Sequence, residues 1–283
     1  MTNPLAPYIR SPKLYVKLPS LNQFYDPNSI ETSINGEIAV YPLSAIDQIL
    51  LKTPDAMLNG ESLIKVVGHC VPGVKNIRQL VEPDINTLLL AIKIASSGST
   101  TELDVQCPNC QAPHTFDIDL SGILDNQTVI NEDDTVLQFD DNLVLHLRPY
   151  NFEQRNLQML NEIQESQTLR ILNEDTELDE IVKVAKLGQQ VDDMSNRTFD
   201  VVAKSIASIT ILKNEQGKQQ EVTDQSHISE WLKGISSAQA NIIINRIREL
   251  NQTGIKTDND FRCDKCEHEW SQPIDFDPTS FFG

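Results

Sequence analysis

The spacing of apolar residues predicts helices in some parts of the chain and strands in others. The helical period is clearest after Glu82-Pro83-Asp84, a tripeptide typical of a helix start. Apolar side chains then recur at intervals of three and four, which gives this predicted helix one apolar face. They are Ile85, Leu88, Leu89 and Ile92. Gly98 is expected to end the helix.

Alternation of apolar and polar residues, the period of a half-buried strand, marks several shorter stretches. These predicted strands lie within 14–18, 37–41, 103–120 and 142–147, and from 257 towards the carboxyl end.

Residues 151–250 mostly show the helical period. Asn151 is a typical N-cap for a helix running to about Leu172. A second helix is predicted near Glu177. Apolar residues at helical spacing predict two further helices, one through Phe199, Val202, Ile206 and Ile209, and one through Ile243, Ile247 and Leu250.

The order of these elements predicts an α+β fold in which a mainly α-helical insert interrupts a β module. Residues 1–35 contain five prolines among polar residues and are expected to form an extended arm. Residues 36–150 would form an α+β domain, 151–250 the insert, and 251–283 the rest of the β module with a carboxyl-terminal tail.

The charge balance limits the kinds of partner. The chain of 283 residues has 23 Lys and Arg against 41 Asp and Glu, a formal net charge of −18, which opposes binding to a phosphate backbone. No apolar run reaches the ~20 residues of a membrane span, and the amino terminus lacks the features of a secretory signal. We therefore expect no nucleic-acid partner, no membrane span and synthesis in the cytosol.

Four of the five cysteines occur as two C-x-x-C pairs, Cys107 with Cys110 and Cys263 with Cys266. The fifth, Cys70, lies in an apolar stretch and is interpreted as a small buried hydrophobic residue. In a reducing cytosol, paired cysteines favour metal or redox chemistry over a structural disulfide.

The two C-x-x-C pairs begin similar segments. Two residues before the first cysteine, Val105 matches Phe261, and eight residues after the last, Ile118 matches Ile274. Each segment, here called a knuckle, supplies two thiolates from a tight turn followed by a strand. Tetrahedral zinc takes four ligands, so two facing knuckles predict one shared structural zinc in a site like that of a zinc ribbon.

Other interpretations of the cysteines stay open at this point. They are a thioredoxin-like redox pair, a disulfide, separate metal sites using His114 or His268, and coincidence. The alternating pattern after each pair disfavours the redox interpretation, since a redox C-x-x-C precedes a helix. The two histidines occupy different offsets from the cysteines, so each is interpreted as a polar residue beside the site.

No common catalytic motif occurs in the chain, and four cysteines would close the coordination shell of the metal. We therefore predict that the protein is not an enzyme and has no small-molecule substrate.

The order of several motifs resembles a known family. The features are an L-P-S segment near the amino end, Y-P-L-S-A-I-D-Q-I-L-L-K-T-P-D-A-M-L-N-G, an L-L-L-A-I-K helix, C-P-N-C and an I-D-L strand. Together they resemble baseplate proteins of T-even-type contractile-tailed bacteriophages, in particular the hub subunit and hub-assembly group. The resemblance covers about residues 13–124, and a second, weaker similarity lies in D-F-D-P-T-S-F-F near the carboxyl end.

This resemblance implies a noncatalytic structural component of the baseplate hub region, made in the host cytoplasm and located in the virion. Its partners would be other baseplate and tail proteins. The alternatives are a hub-assembly chaperone that is absent from the mature particle, and a cellular zinc-ribbon adaptor. Phe281 and Phe282, two aromatic residues at the carboxyl end, are predicted to dock onto a partner, with folding back onto this chain as the alternative.

Overall fold

The computed structural model describes residues 5, 9–52, 60–174, 188, 196–214 and 216–274. Helices and strands are mixed, and the chain divides into two compact units, each with its own core. Unit 1 comprises Met1–Ile130 and Gln252–Gly283, and unit 2 comprises Asn131–Asn251. An α+β fold is thus confirmed.

Unit 1 contains four helices and three two-stranded antiparallel sheets in its described part. The helices are α1 (Ala45–Leu51), α2 (Glu61–Cys70), α3 (Glu82–Ser97) and α4 (Leu120–Asp125), with a short 3₁₀ helix at Ile77–Gln79. The strands pair as β1 (Leu14–Val16) with β2 (Ile38–Val40), and as β3 (Thr100–Gln106) with β4 (Pro113–Asp119). The third pair is β9 (Asp258–Arg262) with β10 (Glu269–Pro273).

Helix α3 is the central helix of unit 1 and packs against α2, α4, β1 and β2. The predicted apolar face is buried, and so are Leu90 and Ala91 on other sides of the helix. The helix has proline in its first turn and ends before Gly98, whose φ of 100° is in the region that favours glycine. Both predicted boundaries agree with the structure to within a residue.

The segment from β1 to Ser20 packs against the core of unit 1. Strand β1 pairs with β2, Leu18 is 2% exposed, and Ser20 lies against the first turn of α3. The carboxyl-terminal part returns to the same unit at Gly254, where the Thr128 amide donates to the Gly254 carbonyl at 2.8 Å. Segments from both ends of the sequence therefore build one core.

Unit 2 contains a four-stranded antiparallel sheet, ordered β5 (Val136–Gln138), β6 (Leu143–Leu147), β7 (Ile206–Ile211) and β8 (Gln220–Val222). Its helices are α5 (Phe152–Glu174), α6 (196–204), α7 (Gln225–Gly234) and α8 (Ser237–Asn251), and a 3₁₀ helix spans Glu132–Thr135. The predicted helix start at Asn151 is confirmed, because the Asn151 side chain accepts from the Gln154 amide at 2.8 Å.

One element of unit 2 was predicted wrongly. The apolar series through Phe199, Val202, Ile206 and Ile209 predicts one helix, but α6 stops at residue 204 and Ile206 begins strand β7. Strand β7 lies between β6 and β8 in the sheet. Its consecutive residues 208, 209 and 210 are all buried, so both faces of the strand are covered. A strand that is buried on both faces does not alternate between apolar and polar residues. The helical spacing of the apolar residues here was therefore a coincidence.

Candidate metal centre

The candidate centre is built from two β-hairpins of unit 1, each with a C-x-x-C pair at its turn. Hairpin 1 consists of β3, β4 and the turn 107–112, and hairpin 2 consists of β9, β10 and the turn 263–268. Sequence alternation predicted both hairpins, because it places every second side chain of each strand on one face.

The two turns have the same backbone geometry. In hairpin 1 the Cys107 amide donates to the Ala112 carbonyl at 3.0 Å, and in hairpin 2 the Cys263 amide donates to the His268 carbonyl at 2.9 Å. Gln111 and Glu267, each directly after the second cysteine, share a φ of 58°. A left-handed residue here lets each turn close tightly and direct both of its thiols to one side.

These turns bring all four cysteines of the C-x-x-C pairs together. The sulfur atoms lie within 4.8 Å of one another, and two contacts between the hairpins, Cys107 with Cys266 and Cys110 with Cys263, measure 3.6 Å between Sγ atoms. A regular tetrahedron with Zn–S bonds of about 2.3 Å places its sulfur atoms about 3.8 Å apart. The spacing of the thiols therefore fits one tetrahedral ion.

The sequence repeat corresponds to equivalent burial in the two hairpins. The first cysteines, Cys107 and Cys263, are 1% and 0% exposed, whereas Cys110 is exposed and Cys266 is half-buried. The matched apolar residues of the repeat are all buried, at Val105, Phe261, Ile118 and Ile274. The cluster therefore lies at the surface of unit 1, with one thiol of each hairpin turned inward.

An aromatic cluster joins the two hairpins beside the cysteines. Phe116 of β4 lies 4.9 Å from Phe261 of β9, and Phe261 lies 5.6 Å from Trp270 of β10, measured between ring centroids. Sequence analysis did not single out Phe116 or Trp270. Strand alternation contains the signal for Phe116, since it shares a face of β4 with Ile118, a matched residue of the repeat.

The thiols in this cluster differ in acidity. The backbone amide of His268 and the side chain of Asn109 lower the pKa of the Cys266 thiol to about 6. For Cys110, the Ala112 amide lowers the pKa, but neighbouring thiols, Cys266 first among them, outweigh it and raise the pKa to about 12. The pKa of the Cys266 thiol therefore lies well below that of the Cys110 thiol.

The chain's other predicted residues are placed as follows. Cys70 is buried in α2, outside the cluster, so the prediction of a small buried residue is confirmed, and burial raises the pKa of its thiol to about 11. The helix predicted near Glu177 lies outside the described residues. Phe281 and Phe282 lie outside the described residues.

A comparison with protein families shows which family the chain belongs to. The model of the family described as T4 bacteriophage base plate protein matches residues 43–283. The chain belongs to this family of phage baseplate proteins. The match includes residues 151–250, which the motif resemblance did not cover. No curated protein and no solved structure gives a significant match to the chain.

Membership of this family indicates a structural component of a phage tail that contacts other tail proteins, and a structural rather than a catalytic role. Among the residues that the structure describes, no helix is both long and apolar enough to cross a membrane. The same residues contain one group of His, Cys, Asp or Glu side chains placed closely enough to hold a metal ion, the four cysteines.

Proposed function

We propose that this baseplate protein is a noncatalytic structural component of the hub region, stabilised by one structural zinc bound to Cys107, Cys110, Cys263 and Cys266. The observation that carries the proposal is the convergence of four thiols from two distant hairpins in a baseplate-family chain. Each hairpin acts as a zinc knuckle, and the pair forms a zinc-ribbon-like module.

Four thiolates suit zinc in a structural site, because they fill its tetrahedral shell and leave no position for water or substrate. When bound, the ion supplies a cross-link between the two hairpins. The surrounding residues fit this role, since a backbone amide of each turn donates to a sulfur: that of Ala112 to Cys110 and that of Lys265 to Cys263. The aromatic cluster joins the same two hairpins.

The energetic balance also favours the cross-link. Cys110 and Cys263 are 153 positions apart. Closing a flexible loop of that length costs roughly 4 to 5 kcal/mol from the (3/2)RT ln n relation. Structural zinc contributes about 10 to 16 kcal/mol in small peptides, so metal binding can hold the two hairpins together.

We expect one tightly bound zinc per chain. The four thiols surround a single position, and thiolate ligands favour zinc over hard cations such as magnesium. Elemental analysis of protein purified without added metal should give about one equivalent. A value near two would indicate a separate ion on each hairpin, and a value near zero would exclude the metal.

The protein should remain in the mature particle at a fixed low copy number. A structural hub component persists after assembly, whereas an assembly chaperone leaves. Quantitative mass spectrometry of gradient-purified particles, scaled to a tail-tube subunit, measures this directly. Detection in infected-cell lysate but never in particles would favour the chaperone alternative and exclude the structural role.

We also propose that the carboxyl-terminal Phe281 and Phe282 contact a neighbouring baseplate subunit. The proposal is supported by the two adjacent aromatic side chains and by the family's place in a phage baseplate, where a subunit contacts other proteins.

A further inference from the structure

The two hairpins differ in the side-chain contacts that they make to each other's sulfur atoms. Two side chains of hairpin 1 point nitrogen atoms at the thiols of hairpin 2: His114 Nε2 lies 3.2 Å from Cys263 Sγ, and Asn109 Nδ2 donates to Cys266 Sγ at 3.6 Å. Hairpin 2, which the structure describes in full, directs no side-chain N–H at Cys107 or Cys110. Within the two hairpins, the side-chain nitrogen contacts to a sulfur of the opposite hairpin therefore all come from hairpin 1. Opposite a thiolate, which can only accept, His114 Nε2 carries the hydrogen and donates.

Strand geometry explains how His114 reaches its position. His114 shares the inner face of β4 with Phe116 and Ile118, since these residues alternate along the strand. Its ring is 5.8 Å from that of Phe116, and its side chain is only 8% exposed. The packing leaves Nε2 facing Cys263, while Nδ1 lies 4.0 Å from the exposed carboxylate of Asp264.

The contact between His114 and Cys263 matters because the thiolates around the proposed zinc are negatively charged. Four thiolates around Zn²⁺ have a net charge of −2, in a chain whose formal net charge is already −18. Cys263 is 0% exposed, so water cannot solvate its sulfur, and protein N–H groups must do so. The Lys265 amide supplies one such group at 3.4 Å, and His114 Nε2 supplies the closest side-chain group.

We propose that His114, with Asn109, is a positioning residue that orients the thiolates of hairpin 2 and sets the zinc affinity of the four-cysteine centre. His114 acts through Cys263 and does not bind the metal itself. The inference rests on the proposed structural zinc and assigns hairpin 1 two roles. It supplies two of the four ligands, and its side chains also orient the two thiolates that hairpin 2 supplies.

The test compares zinc affinity in full-length chains that differ in one hydrogen-bond donor. His114→Leu removes the donor, and His114→Gln restores an N–H at a similar reach. His146→Leu is the matched control, because it makes the same change at a half-buried position of strand β6, outside both hairpins. Affinity is measured by competition with a chelator, and ligand type by the absorption bands of bound Co²⁺.

We expect His114→Leu to bind zinc about 10- to 100-fold more weakly, the usual effect of removing a group that supports a metal ligand. His114→Gln should recover part of this loss, and His146→Leu should bind like the unchanged protein. All four proteins should show the Co²⁺ spectrum of four thiolates. Rescue by glutamine over leucine separates hydrogen bonding from packing, even if both variants are less stable.

Three results would overturn the inference. Equal affinity of His114→Leu and the unchanged protein would exclude a positioning role. A Co²⁺ spectrum with nitrogen coordination in the unchanged protein, lost in His114→Leu, would make His114 a ligand. Failure of the unchanged protein to bind either metal would refute the proposed zinc itself, a result distinguishable from the first two because it needs no variant.

Discussion

Cys107→Ser is expected to destabilise unit 1 by more than about 4 kcal/mol, the range reached when a bound metal is lost. Cys263→Ser should have a similar effect, because both substitutions destroy the same coordination shell. The double variant should be little worse than either single variant, since the shell can be lost only once. Denaturant unfolding with zinc present measures all three free energies.

Cys70→Ala provides the control for the cysteine variants. Cys70 is buried like Cys107 but lies outside the cluster, so this variant should retain one zinc and its cost should add to that of Cys107→Ser. Additive effects of Cys107→Ser and Cys263→Ser would instead show that the hairpins act independently, and the shared site would be wrong.

Asp84→Ala should destabilise unit 1 by on the order of 3 kcal/mol. The Asp84 carboxylate is fully buried and accepts from the Ser20 amide at 2.9 Å, the Ser20 hydroxyl and the Tyr25 hydroxyl. Alanine leaves these donors without a partner in the core. Denaturant unfolding tests this, and Tyr25→Phe, which removes one donor, should cost less.

The same carboxyl group should make stability depend on pH. Burial raises the pKa of Asp84 to about 6, so the folded chain holds this proton more tightly than the unfolded chain. Its contribution to stability is therefore greatest below about pH 4 and falls as the pH rises towards 6. In Asp84→Asn this fall should disappear; an unchanged pH profile would show that Asp84 does not titrate in this range.

Local features of the sequence were sufficient to predict the hairpins and the four-cysteine cluster. The tight C-x-x-C spacing, the alternation after each pair and the matched residues Val105 and Phe261 all describe short segments. Their meeting in space followed from a chemical argument, that two thiolates from each segment complete one tetrahedral shell. The central helix α3 was predictable for the same reason, because the three- and four-residue spacing of its apolar side chains lies within one short segment.

Contacts between distant residues were not predictable in this way. Asp84 looks like an ordinary acidic residue in the first turn of a helix, and its partner Ser20 is 64 positions away. His114 was interpreted as a polar residue beside the site, but its particular partner, Cys263, depends on how the hairpins pack. Ile206 shows the converse problem: its local period predicted a helix, whereas pairing with Leu147 made it part of a strand.

The separation of the two cysteine pairs determines when the centre can form during translation. A ribosome that adds about 5 to 20 residues per second needs roughly 8 to 30 seconds to pass from Cys110 to Cys263. Throughout that interval hairpin 1 has two thiols and no partner hairpin, while all of unit 2 is being made. All of unit 2 is therefore synthesised before the four-cysteine cluster of unit 1 can form, and hairpin 2, which is made last, completes the cluster.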